Sequence, residues 1–247
     1  MPTKKIDLSA ERNMLGYFLL GWGIFDLIYK SLSYGFLDFQ FLWFCNISLF
    51  ILALGLLMDS RVLINFFLAA SIVVQPVWIL DLLWQLLYNV PLNGTASYVF
   101  DQQTLLPEVI TTLKHLFAIP LGFFSAFRYS SPSKKSYYFI IAFGIIFLGL
   151  TGILSPENAN LNCMGSPCFN VPGIDGKSPL YPYYFASAMI LSVIAANFIL
   201  NLSLKAYRRE RNGKACKAIV YAITYLLFFA SLAISAGVMA GHLGLGI

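Results

Sequence analysis

Apolar runs long enough to cross a bilayer recur along this chain, and no other feature restricts its fold as much. A helix rising about 1.5 Å per residue needs roughly 20 apolar residues to traverse the hydrocarbon core. Runs at about 14–34, 41–58, 62–88, 105–128, 136–154, 180–204 and 218–241 meet or approach that length. With 59% hydrophobic and only 11% charged residues among 247, the chain is too apolar for an ordinary soluble domain. The runs predict an all-α membrane protein, a single polytopic domain built as a seven-transmembrane-helix bundle. The first run is too long for a signal-peptide core and lacks a small-residue cleavage site, so it is read as a retained span.

Charge then orients the spans. The net charge of +5 does not gather into a basic patch with interleaved aromatics, which argues against a nucleic-acid partner. Nearly all Lys and Arg fall in the N-terminal segment and in the connections 59–61, 128–135 and 205–217, which alternate onto one side of the membrane. The positive-inside rule makes that side cytoplasmic, so the N-terminus is cytoplasmic and the C-terminus outside. Membrane lipids are the expected partners, protein partners are unassigned, and a bacterial inner membrane is the expected location. The long connection 155–179 then lies outside, where Cys163 and Cys168 are close enough in sequence to form a disulfide in an oxidising compartment. Two free thiols fit the sequence equally well.

Several spans carry polar groups that lipid penalises. A charge at the centre of a membrane helix costs roughly 2.5–3.5 kcal/mol on insertion scales, so such side chains are expected to face one another. Asp26 falls in the first span, Trp43, Cys45 and Asn46 in the second, and Gln75, Trp78, Asp81 and Gln85 in the third. Glu108, Lys114 and His115 fall in the fourth. With the assigned topology, these groups share a layer from the midplane to the outer interface. Helical phase adds that Trp78, Asp81 and Gln85 lie on one stripe, as do Glu108, Thr112 and His115.

What can such a layer do? Cys45 is the intramembrane nucleophile, and His115 is the deeply placed imidazole available to draw its proton. Asp81 or Glu108 would orient that imidazole, and Asn46 and Lys114 would stabilise an oxyanion. A buried free Cys also behaves simply as a small hydrophobe. Two His in the chain cannot supply a three-His zinc set, and mixed ligation by His115 with Asp26, Asp81 or Glu108 ranks below the thiol reading, so no metal and no cofactor is assigned.

The segment Phe41-Leu42-Trp43-Phe44-Cys45-Asn46-Ile47-Ser48 resembles the one bearing a central Cys in the YwaF-type integral membrane protein family. The resemblance extends to Gln75 and Asp81 in the next run, to Lys114-His115 in the following one, and to the Asn-rich stretch 157–162. It covers roughly the middle half of the chain. A vertebrate relative in that family is an acyltransferase acting on ether phospholipids, thought to carry the acyl group on the Cys that matches Cys45. The family commonly has a His two residues before that Cys. This chain has Trp43 there, which leaves the base role to His115.

The expected function is therefore lipid acyl-group chemistry through a Cys45 thioester in an outward-facing pocket, with His115 as base and Asp81 as orienting acid. Trp43, Asn46, Gln75, Trp78, Gln85, Glu108, Lys114 and Asp26 would line the substrate site. Two rivals draw on the same residues. One is a transporter or channel for a small solute or protons using Asp26, Asp81, Glu108, Lys114 and His115. The other is a non-catalytic assembly or sensor protein whose polar layer fixes helix packing.

Overall fold

The structure is a computed structural model that describes residues 8–34, 43–92, 94–100, 105–154 and 180–209, without the side chains of Tyr98 and of residues 105–109. The described residues form six α-helices and a 3-10 turn, with no strand among them. The helices are α1 (Leu8–Tyr34), α2 (Phe44–Leu57), α3 (Arg61–Tyr88), α4 (Leu105–Tyr129), α5 (Lys135–Leu154) and α6 (Tyr181–Arg209). Four of them, over Arg61–Tyr88, Ile110–Tyr129, Lys135–Leu154 and Tyr181–Arg209, are long and apolar enough to cross a membrane, as in an integral membrane protein.

The first two expected spans look different from the other four. α1 has the length, but Asp26 and Lys30 interrupt its apolar run and both are buried in the bundle. α2 has the apolarity but only 14 residues, about 21 Å against the roughly 30 Å of a hydrocarbon core. The seventh expected span, 218–241, lies outside the described residues, as do Cys163 and Cys168.

The helix ends follow from local chemistry. Ser60 caps α3, its Oγ accepting from Leu63 N, while Asp59 before it and Asn89 after α3 take left-handed φ values of 53° and 55°. α3 runs 28 residues unbroken past Pro76, which has no N–H to give the Ile72 carbonyl one turn back. α3 is the hub, packing on α2, α4, α5 and α6, while α1 lies against α2 and α4. Leu49, Leu52 and Leu56 of α2 meet Ile64, Phe67 and Leu68 of α3 in the main core. Phe66 lies edge-on to Phe44, Phe139 and Phe143, the geometry in which ring edges meet ring faces. α4 comes close to α3 at Gly122, where an added Cβ would stand 3.0 Å from Leu68 and Phe67. The outer faces of α5 and α6 expose Ile145, Ile146, Ile153, Leu191 and Ile199, as lipid-facing helices do.

One end of the bundle is tied by polar contacts between helix termini. Arg12 pairs with Asp59 at 2.5 Å, and Glu11 accepts from Arg128 at 3.0 Å and from the Tyr129 hydroxyl at 2.8 Å. Asn65 donates to the Ser131 carbonyl and accepts from Ser130 Oγ. Asn197 and Ser136 bond each other, and Asn201 accepts from the Ser133 amide, tying α6 to the start of α5. Arg208 donates to the Ser130 carbonyl, and Tyr207 packs edge-on to Phe127. These contacts explain why α1 starts before the first apolar run and α6 continues past the sixth.

Candidate functional site

Three helices bring a compact ionic group together. On α1, Asp26 and Lys30 are one turn apart and so share a face. α2 contributes Asn46 and Cys45 from its first turn, whose N-cap residue Trp43 makes no side-chain cap. α4 contributes Lys114. The Lys114 ammonium donates to Asp26 Oδ2 at 2.7 Å and to Asn46 Oδ1. Lys30 donates to the same Asn46 oxygen at 3.3 Å and stands 3.6 Å from Asp26 Oδ1, an ion pair beyond hydrogen-bonding reach. The Cys45 thiol, 3.7 Å from Asn46 Oδ1, points to that oxygen as well.

Lys114, Asp26, Asn46 and Lys30 are all buried, whereas Cys45 is half-buried. Asn46 Oδ1 is thus the meeting point of two ammoniums and a thiol. A carboxamide oxygen has two lone pairs, so the thiol is a third donor on an acceptor that two stronger donors already occupy. Counting formal charge, Lys30 and Lys114 set against Asp26 leave one positive charge among these residues. The α2 N-terminus adds partial charge of the same sign.

His115, next to Lys114 in sequence, turns about 100° round α4 and belongs to a different group. Its Nδ1 lies 2.6 Å from Gln75 Oε1 of α3, and its ring stacks on Trp78 with centroids 4.1 Å apart and planes within 12°. His115 Nε2 has no hydrogen-bond partner among the described residues. No hydrogen bond joins the Cys45 thiol to the His115 ring among those residues.

Asp81, one turn beyond Trp78 on α3, faces the connection to α4. Its Oδ1 accepts from the amides of Leu92 (2.8 Å) and Gly94 (3.2 Å). Its Oδ2 accepts from the Ala96 amide (2.7 Å) and the Thr95 hydroxyl (3.4 Å). Gly94 has φ +83°, a left-handed conformation that glycine adopts freely. Gln85 Oε1 accepts from Ser97 Oγ on the same connection. So held, the connection buries Ala96 and Val99 against Trp78, Leu82 and Leu116, and it closes that end of the α3–α4 seam.

Apart from Trp43, which stands at the N-cap of α2, and Glu108, the sequence-expected residues divide into three groups. Cys45, Asn46, Lys114 and Asp26 gather in the ionic cluster, Gln75 and Trp78 surround His115, and Asp81 and Gln85 hold the connection. The Glu108 side chain lies outside the described residues. Lys30 is the member that sequence reasoning missed, because it sits near the end of the first apolar run and passes for a flanking charge. Its signal was the four-residue spacing from Asp26. Among the described residues no three His, Cys, Asp or Glu side chains gather as a metal-binding group. Compared with protein-family models, with curated proteins and with solved structures, the chain matches none, so the chemistry of this site is read from its own geometry.

Proposed function

We propose that the chain is an integral membrane enzyme that carries lipid acyl groups as a thioester on Cys45. The observation supporting this is the convergence of the Cys45 thiol and two lysine ammoniums on one oxygen, with a single carboxylate to balance them. Acyl transfer builds negative charge on sulfur and on the ester carbonyl oxygen, and the cluster, with two ammoniums against one carboxylate, carries a net charge of the opposite sign. Fixed cationic donors in a buried site stabilise such charge without reorganising when the reaction occurs. In the transfer, sulfur bonds to the carbonyl carbon, the ester C–O bond breaks, and the thiol proton leaves on the departing alcohol. Attack by a second alcohol on the thioester runs the same steps in reverse and returns a proton to sulfur.

In this reading Lys30 and Lys114 stabilise the developing charge, Asn46 positions both ammoniums, and Asp26 holds Lys114. His115 is bonded to Gln75 and makes no hydrogen bond to the thiol, so the base role expected of it is not part of this reading. The proposal keeps seven spans with a cytoplasmic N-terminus and an outer C-terminus, lipids as partners and a bacterial inner membrane as location. It also keeps kinship with the YwaF-type family.

The test is covalent labelling of the full-length chain in membranes by an activated-ester probe with a lipid tail. Cys45→Ser is expected to abolish labelling. Equal labelling of both proteins would overturn the proposal. Ion-coupled transport, the rival class, predicts uptake into liposomes that survives Cys45→Ser.

A further inference from the structure

In the seam between α3 and α4, four side chains each present a polar atom with no hydrogen-bond partner among the described residues. They are Gln75 Nε2, His115 Nε2, Thr112 Oγ1 and Ser71 Oγ. Their residues are 0%, 4%, 1% and 0% exposed, so bulk solvent does not serve them. Ser71 and Gln75 are one turn apart on α3, and Thr112 and His115 one turn apart on α4. The 2.6 Å contact between Gln75 and His115 joins the two pairs. Buried polar groups are paired as a rule, and unpaired ones gathered along one seam mark a place where something else supplies the partners.

We infer that this seam is a binding site for the hydroxyl group of an alcohol. With Gln75 Oε1 facing His115 Nδ1, that nitrogen carries the proton, so Nε2 is a bare acceptor and the Gln75 amide is a free donor. Turning the carboxamide over exchanges the roles, and the pair still offers one donor and one acceptor. A hydroxyl group gives one hydrogen bond and takes others, which answers either arrangement, and the Thr112 hydroxyl stands one turn away to share it. The seam suits neither ion. The Lys114 ammonium is turned to Asp26 and Asn46 on other helices, and the amide N–H or ring N–H that points in repels a cation. The Trp78 ring covers one face of the imidazole, so a polar ligand approaches Nε2 in the ring plane.

That the hydroxyl belongs to an alcohol and not to water rests on the acyl-carrier reading, in which a second alcohol accepts the acyl group. The test is therefore made on Cys45→Ser protein, where failure of that chemistry cannot affect it. The chain has two His, so His242→Gln leaves His115 as the single imidazole. The full-length chain, 15N-labelled at histidine, is placed in phosphatidylcholine nanodiscs and titrated with monooleoylglycerol, or with methyl oleate, which has no hydroxyl. The Nε2 resonance is expected to shift saturably with monooleoylglycerol and not with methyl oleate. Thr112→Val, nearly isosteric, is expected to weaken that binding about fivefold to tenfold, the size of one hydrogen bond. Equal responses to the two lipids would overturn the inference. So would a resonance that responds to D2O exchange and to neither lipid, which would identify the occupant as water.

Discussion

The Lys114 ammonium lies 2.7 Å from Asp26 Oδ2, although 88 residues separate the two in the chain. That contact ties α4 to α1, and Asn46 ties both to α2. Removing one partner of a buried pair leaves the other charge uncompensated, at a cost of about 3–5 kcal/mol. Asp26→Asn is expected to destabilise the fold by that order, because it strands two ammoniums. Adding Lys114→Met is expected to recover part of the loss. Denaturation of the two single variants and the double variant in one detergent gives the coupling, and additive losses would mean that the pair does not act as a unit.

Asp81 predicts a local effect. Its carboxylate receives three backbone amides of the 92–96 connection, so Asp81→Ala is expected to cost about 2 kcal/mol and to free that connection. Asp81→Asn keeps one carboxamide oxygen as acceptor and should cost less. Hydrogen exchange at Leu92, Gly94 and Ala96 is expected to accelerate in Asp81→Ala while α5 and α6 stay protected.

At the opposite end, Glu11 couples the fold to pH. The Arg128 guanidinium bonded to it holds its carboxyl below the ordinary 4.5, with the Tyr129 hydroxyl acting in the same direction and burial opposing. A carboxyl whose folded pKa is depressed contributes stability that is fully present above the unfolded value and is lost as pH falls through the folded one. Stability is therefore expected to fall as pH drops below about 4.5, with Glu11→Gln showing a shallower fall over the same range.

Lys30 supplies a prediction about reactivity. If its ammonium stabilises charge at Cys45, Lys30→Met is expected to slow ester labelling of Cys45 by roughly 100-fold, the usual loss when one oxyanion donor is removed. Lys30→Arg keeps the charge and should retain most of the rate. Equal rates in all three proteins would separate Lys30 from the chemistry.

Much of this architecture was legible in residue order alone. The bounds of α3, α4 and α5 fall within a residue of the apolar runs, because a run's length and its flanking charges are local properties. Residue order likewise picked out Cys45, Asn46, Lys114 and Asp26 as polar groups that lipid would not tolerate. Helical phase correctly put Trp78, Asp81 and Gln85 on one stripe of α3, yet the three serve different partners. Trp78 meets His115 across the seam, while Asp81 and Gln85, further along the helix, hold the connection.

Tertiary structure alone decided which helices are neighbours and how each is rotated. Two adjacent residues of α4 show it, since Lys114 reaches α1 and α2 while His115 faces α3. Phase fixes the angle of about 100° between them but not which helix stands on either side. Where hydrophobicity no longer favours one apolar face over another, close packing and the pairing of buried polar groups set those rotations. Both act between residues distant in sequence, which is why Lys30 came to stand beside Cys45 with no motif announcing it.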